Sequence, residues 1–374
     1  MTRALLALLL MLGQFSVVAA PRRRAVRHPS PVVAPAALVT AARQAAASAM
    51  EAGVPAVQIA VSHRGRVIYS EAFGTTNRES ATAATPRSVL RVGSITKQFT
   101  SAAILRLAER GALSLDDRIE KFVPEFDPRG RTITLRHLLT HTSGVARDWW
   151  FAPNQPVNPF SPVTRAQVIN ALNVRPFDFA PGTKWSYSNA GYMLLGYTIE
   201  SITGMSYADF IQTELALPLG LIDTGVCGTA SLPLREGYGL LNGSMVRLST
   251  LHPSAILSEG SFCSTASDLV RWSHLLATGH AMLPASYTAM TTPGRLANNT
   301  VLPLGYALGV STRNMVGYPA VSHGGAVNGF LSFLLYLSDQ EIAVAVITNA
   351  FPAPAAGDSE LMAIAIAKAA LDAL

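Results

Sequence analysis

Toward both ends of the chain short apolar runs lie between turn residues, and in the middle apolar residues recur every three or four positions. The first pattern is that of strands and the second that of helices. Residues 56–62 and 66–73 read as a hairpin turning at Arg64-Gly65, preceded by an Ala-rich helix over 38–50. From Thr96 the apolar positions Phe99, Ile104, Leu105 and Leu107, with Ala102, Ala103 and Ala108 between them, predict a helix that stops at Gly111. Helical segments follow over 134–139, capped by Thr134, and over 164–172, 192–199 and 207–215. Residues 222–260 are irregular, and Ser264-Thr265-Ala266-Ser267-Asp268 caps a helix that runs to about Leu276. Strands return over 307–310, 320–323, 330–338 and 342–348, with a turn at Asp339-Gln340, before an amphipathic helix over 357–374. Strands at both ends around a helical middle predict an α/β (α+β) fold. Residues 36–112 and 265–374 would form one discontinuous α/β domain, and 113–264 a mainly helical insertion. Strands and helices do not alternate regularly, which favours an antiparallel sheet.

Composition adds a large core. The 374 residues are 49% apolar and only 14% charged, ample for one or two closely packed domains. The net charge of +6 is uneven, because Arg22, Arg23, Arg24 and Arg27 crowd into one short stretch. Without that stretch the chain is nearly neutral, and no C-x-x-C pair or basic–aromatic interleaving is present, so nucleic acid is not an expected partner. Residues 1–19 read as a secretory signal peptide, with Arg3, an apolar run and small residues at Val17-Val18-Ala19. Residues 20–35 form a basic, Pro-rich leader. An exported protein is expected, periplasmic or secreted, with no transmembrane segment after processing. Export permits a disulfide. The two cysteines, Cys227 and Cys263, fit either a bridge or two separately buried thiols.

The candidate chemistry begins at Ser94 and Lys97. Three residues apart, they share one face of the helix they open, and the first turn of a helix favours developing negative charge. A serine with an amine one turn behind it is a workable nucleophile, although S-x-x-K alone is a weak signal. Tyr187-Ser188-Asn189 strengthens it, since a lysine beside a phenol can lower the phenol's pKa or share its proton. Asn189 offers both a donor and an acceptor. The glycines of His323-Gly324-Gly325 let a substrate backbone lie along an edge strand, and the amide that follows can point at a carbonyl oxygen. Neither H-E-x-x-H nor G-x-S-x-G occurs, so no metal or organic cofactor is called for. The aromatic, Pro-rich loop over 148–162, with Trp149, Trp150, Phe151 and Phe160, fits either a cleft overhang or a folded surface loop.

Taken together, residues 53–349 resemble the penicillin-recognising serine hydrolases, in the branch of class C β-lactamases, D-Ala-D-Ala carboxypeptidases and serine esterases. The matching stretches are Gly93-Ser94-Ile95-Thr96-Lys97, Leu138-Leu139-Thr140-His141-Thr142-Ser143-Gly144, Pro181-Gly182 with Tyr187-Ser188-Asn189, Ser264 to Leu269, and His323-Gly324-Gly325. The resemblance implies a five-stranded antiparallel sheet flanked by helices, an all-helical domain, and a cleft between them. It also implies roles. Ser94 is the acylated nucleophile, Lys97 activates it, and Tyr187 is the phenolic base and later the donor to the leaving group. Asn189 contacts the substrate amide, and the backbone N–H groups of Ser94 and Ala326 form the oxyanion hole. Substrates would be small esters, peptides or β-lactams. Where many relatives carry Lys-Thr-Gly this chain has His323-Gly324-Gly325, with no fixed ammonium and no hydroxyl. A substrate carboxylate would then fall to an arginine such as Arg313. This favours an esterase or D-amino-acid-type peptidase over an efficient β-lactamase or carboxypeptidase, and a non-catalytic binder of cell-wall peptides would use the same cleft.

Overall fold

The computed structural model describes residues 34–151 and 157–374; the expected signal peptide and nearly all of the basic leader lie outside the described residues. The main sheet contains β1 (Ala56–His63), β2 (Arg66–Asn77), β3 (Thr82–Ala83), β4 (Ser311–Met315), β5 (Tyr318–Val327), β6 (Phe330–Leu337) and β7 (Ile342–Thr348). Its order is β3-β2-β1-β7-β6-β5-β4, with every neighbouring pair antiparallel. The principal helices are α1 (Ala36–Glu51), α2 (Thr96–Glu109), α3 (Asn189–Thr203), α4 (Ala266–Ala277) and α5 (Ser359–Ala373).

Strands β1 and β7 are buried on both faces, and their side chains divide by parity. Val57, Ile59, Val61, Val344 and Val346 pack with Leu38 and Ala42 of α1 and with Met362 and Ile366 of α5. Ala60, Ala343, Ala345 and Ile347 point the other way, into the core that holds Leu269 and Trp272 of α4. A period of two sends alternate residues to opposite layers, so the sheet needs a helical layer on each side. Helix α2 belongs to the second core, where Thr96 through Leu105 are all buried and Phe99 stacks on Trp272 at 4.0 Å between ring centroids. Helix α3 and the helices Leu135–Leu139, Arg165–Val174 and Tyr207–Ile211 make up the helical region.

Several expectations are corrected. Among the described residues the sheet has seven strands, because two-residue β3 extends one edge and β4 the other. Residues 307–310 are not a strand. The Ala307 N–H donates to the Val310 carbonyl at 2.8 Å, closing a turn, and the segment is apolar because it packs against α2; the strand begins at Ser311. Within 222–260, expected to be irregular, Gly237–Leu241 and Ser244–Leu248 form a hairpin. Its turn is Asn242-Gly243, both at positive φ, the pairing that a tight hairpin favours. Helix Pro284–Thr291 was not expected. Of the two readings for the cysteines the bridge is the one present, with the Cα atoms of Cys227 and Cys263 5.1 Å apart. No helix among the described residues is long and apolar enough to cross a membrane.

Candidate active site

Ser94 sits in a short 3-10 turn, Gly93–Ile95, immediately before α2, rather than inside the first α-helical turn. That turn is pressed against β5. A side chain at Gly93 would meet the Ala326 backbone nitrogen at 2.9 Å, and one at Gly325 would meet the Val92 carbonyl oxygen at 1.9 Å. Only glycine on both sides permits the approach, and Gly93 also has a φ of +50°. Strand β4 pairs with β5 only from Tyr318 to Ser322, which leaves the outer edge of residues 323–327 to face the serine. Ser332 ties the assembly from β6, its hydroxyl donating to the Val92 carbonyl at 2.9 Å.

Lys97 is fully buried, and its three N–H bonds each have an acceptor. They go to Ser94 Oγ at 3.2 Å, Asn189 Oδ1 at 2.9 Å and the Glu259 backbone carbonyl at 2.7 Å. Burial pushes the amine down to about 8, against the opposing pull of the Glu259 and Asp148 carboxylates. Asn189 is held at both ends, since its amide nitrogen donates to Asp148 Oδ1 at 2.8 Å. The Tyr187 hydroxyl is sealed from solvent and has no hydrogen-bond partner among the described residues. Burial holds that phenol well above its ordinary value, and neighbouring Ser94 offsets this only in part. Lys97 does not lower it by direct pairing: the ammonium lies over the face of the Tyr187 ring, 4.9 Å from its centroid. Of the two expected bases, the lysine is therefore the one drawn toward neutral pH.

His323, a candidate substrate-binding residue, is tied into a buried polar chain. The Ser188 N–H donates to His141 Nδ1 at 3.1 Å, which places the His141 proton on Nε2, 3.0 Å from the Tyr306 hydroxyl. That hydroxyl lies 3.1 Å from His323 Nε2, while His323 Nδ1 is 2.6 Å from the Gly324 carbonyl and must donate to it. One assignment satisfies every atom: His141 Nε2–H donates to Tyr306, and Tyr306 O–H donates to His323 Nε2. Burial keeps both histidines neutral, lowering His141 well below its usual range and His323 to about 4. His323 thus has no donor left for a substrate. It belongs instead to a chain that walls in Tyr187, whose ring centroid is 4.2 Å from that of His141.

Ser94, Tyr187, Asn189, His323, Gly324, Gly325 and Ala326 line one cavity of about 330 Å³. Arg313 is not among its walls, being ion-paired with Glu360. The arginine that does line it is Arg147, 3.4 Å from Asp148, which sequence reading passed over. A second cavity of about 240 Å³ shares Ser94, Arg147, Asn189 and Ala326 and adds Asp148, Trp150, Leu251 and Glu259. The aromatic loop is divided between roles. Trp149 is buried and donates to the Ala255 carbonyl at 3.1 Å, Trp150 reaches the second cavity, and Phe160 is exposed. Glu259 also escaped sequence reading, although it is the only charged residue between Arg247 and Asp268.

Comparison with known proteins bears on the family and the fold. The family profile described as Beta-lactamase matches residues 39–369. Penicillin-binding protein 4* of Bacillus subtilis (strain 168) is 28% identical over 303 residues, 76% of this chain and 66% of that protein. D-aminopeptidase of Gluconobacter oxydans (strain 621H) is 26% identical over 333 residues, 86% of this chain and 61% of that protein. The crystal structure of a D-stereospecific amidohydrolase from Streptomyces sp. superposes with a TM-score of 0.71 at 27% identity, covering 86% of this chain and 96% of that one. The chain thus spans slightly under two thirds of the length of these two curated relatives.

Proposed function

Since the chain belongs to the penicillin-recognising serine hydrolases, we propose that it is an exported hydrolase that cleaves esters or D-amino-acid amides and peptides through an acyl-enzyme on Ser94. Serine-hydrolase-type activity on peptide or ester substrates is common ground with its relatives. The observation that carries the reading to this site is the Lys97 amine, fully buried, 3.2 Å from Ser94 Oγ and pushed down to about 8. Ser94 Oγ attacks the substrate carbonyl while its proton passes to Lys97 Nζ. The oxyanion is received by the N–H groups of Ser94 and Ala326. As the C–N or C–O bond breaks, the Tyr187 hydroxyl, otherwise unpartnered, gives its proton to the departing group and is reprotonated from Lys97. Water then enters, gives a proton back through the same groups, and releases the acid from Ser94.

The D-amino-acid reading draws support from the relatives named as a D-aminopeptidase and a D-stereospecific amidohydrolase. Slow β-lactam turnover follows from the third motif, where His323 is consumed internally and supplies neither charge nor donor. Arg147 supports a second reading, a carboxypeptidase or β-lactamase that holds a substrate carboxylate, because it is a cation on the wall of the Ser94 cavity. The test is labelling with a fluorophosphonate followed by peptide mapping, then one substrate panel read as kcat/KM. The adduct is expected on Ser94, and Ser94→Ala should abolish turnover. Short p-nitrophenyl esters or a D-amino-acid amide should exceed a chromogenic cephalosporin by at least about tenfold, or ~1.4 kcal/mol in transition-state stabilisation. Labelling elsewhere overturns the site, and faster cephalosporin turnover overturns the ranking of substrates.

A further inference from the structure

The acyl-transfer scheme uses Glu259 only through its backbone carbonyl, which accepts from Lys97. Its side chain is left over. The residue is 2% exposed, lines the second cavity with Ser94, and its Oε1 is buried without a hydrogen-bond partner among the described residues. A buried carboxyl oxygen with no donor is costly, so what is missing at this position is a donor. The charged and amide donors nearest to it among the described residues have other partners. All three Lys97 protons are given to Ser94, Asn189 and the Glu259 carbonyl. Asn189 donates to Asp148, and Arg147 is ion-paired with the same carboxylate. A ligand entering beside Ser94 can supply the missing donor.

The charges facing the cavity indicate which ligand. Glu259 and Asp148 are acidic, Arg147 is basic, and Lys97 lies just behind. With Lys97 the free amine that accepts the serine proton and Glu259 ionised, the carboxylates outnumber the cations by one. The ligand that completes this arrangement is a cationic donor. In an amino-acid ester or amide the α-ammonium is only two covalent bonds from the carbonyl carbon that Ser94 attacks, so it must lie in a space that the serine itself lines.

We propose that the second cavity is the subsite for the substrate's α-ammonium group, received by Glu259 with Asp148 beside it. The enzyme then prefers acyl groups whose amino group is free over those in which it is acylated. The inference deepens the serine-hydrolase reading of Ser94 and rests on it. Burial pushes the empty Glu259 carboxyl up to about 8; an ammonium ion against it favours the ionised form, while Lys97 and Arg147 already act in that direction and Asp148 against it.

The test compares D-alanine p-nitroanilide with N-acetyl-D-alanine p-nitroanilide, in the unmodified protein and in Glu259→Gln. The quantity read is the ratio of the two kcat/KM values. Any change in the basicity of Lys97 acts on both substrates, so the ratio isolates the subsite. The unmodified protein should favour the free amine by at least about tenfold, and Glu259→Gln should bring the ratio near one. A ratio near one in the unmodified protein, or a large ratio that Gln leaves unchanged, overturns the assignment. Should the variant fail to fold, the unmodified protein still decides. D-alaninamide should compete with p-nitrophenyl acetate hydrolysis and N-acetyl-D-alaninamide should not, and equal competition overturns the proposal. The acetate ester carries no amino group, so its turnover monitors Ser94 alone. Ester hydrolysis without amine preference defeats only the subsite, whereas no ester hydrolysis defeats the reading of Ser94 and the subsite with it.

Discussion

Lys97 and Glu259 approach the same value from opposite sides, each pushed to about 8 by burial, the amine downward and the acid upward. Lys97 must be neutral to accept the Ser94 proton, so raising the pH through that value increases the competent fraction. The kcat/KM for an uncharged ester should therefore climb between about pH 7 and 9, with an apparent value that belongs to the coupled pair and to neither residue alone. Ionised Glu259 raises the lysine, so Glu259→Gln should move this limb toward lower pH. A flat profile from pH 6 to 9 would exclude Lys97 as the base. Tyr187 answers to a different measurement. Its phenol is held above its usual range and stays protonated across this interval, which suits a donor to the leaving group. Tyr187→Phe removes the hydroxyl and keeps the ring against His141, so kcat should fall ~10²–10⁴-fold with little change in thermal stability. The loss should be greater for a substrate with a poor leaving group, such as an anilide, than for a p-nitrophenyl ester. Equal losses on both would remove Tyr187 from that step.

At the scale of elements, the polar chain from His141 through Tyr306 to His323 joins the segment after the Leu135–Leu139 helix to strand β5, across the face of Tyr187. Tyr306→Phe leaves two buried imidazole nitrogens without partners, one a donor and one an acceptor. Each such loss costs on the order of 1–3 kcal/mol, so urea denaturation should show a clear drop in stability. Because Tyr306 acts through its neighbours, kcat should fall less than in Tyr187→Phe. Unchanged stability would mean that the chain is not the tie it is described as here. This network also marks where sequence reading stops. Helix α2 was legible from its period and its end signals, and hairpin β1–β2 and strands β6 and β7 from short apolar runs bounded by turn residues. The hairpin at Asn242-Gly243 was legible too, and was missed because the glycines around it read as disorder of pattern rather than as turns. Tyr306, Arg147 and Glu259 have no such local signature. They come from three separate segments, and only packing brings Arg147 and Glu259 beside Ser94 and Tyr306 beside Tyr187. His323 shows the converse. Its position was legible, but its use depended on where its two nitrogens point, which no linear pattern encodes.

The whole molecule hangs on contacts between distant parts of the chain, and the Cys227–Cys263 bridge is the covalent one. It closes a loop of sequence separation 36. Cys263 lies in the strand Phe262–Ser264, which pairs on one side with Leu90–Arg91, just before Ser94, and on the other with Gly225–Val226. The loop it closes contributes Leu251, Ile256 and Glu259 to the second cavity. The bridge therefore restrains the unfolded chain and also fixes the segment from which Lys97 draws its third hydrogen bond. Restricting a loop of this length contributes about 2–4 kcal/mol to folding. Replacing both cysteines, Cys227→Ala with Cys263→Ala, avoids reductant and stray thiols and removes only small, buried side chains. The double variant should melt several degrees lower and lose about that much stability in urea. Loosening of the Glu259 segment should reach the site as well, so the variant's ester kcat/KM should fall more steeply on warming, before global unfolding begins. Two alkylatable thiols in the denatured, unreduced protein would refute the bridge itself. An intact bridge with an unchanged urea midpoint in the double variant would show that the small sheet beside Ser94 holds its shape by hydrogen bonding and packing alone.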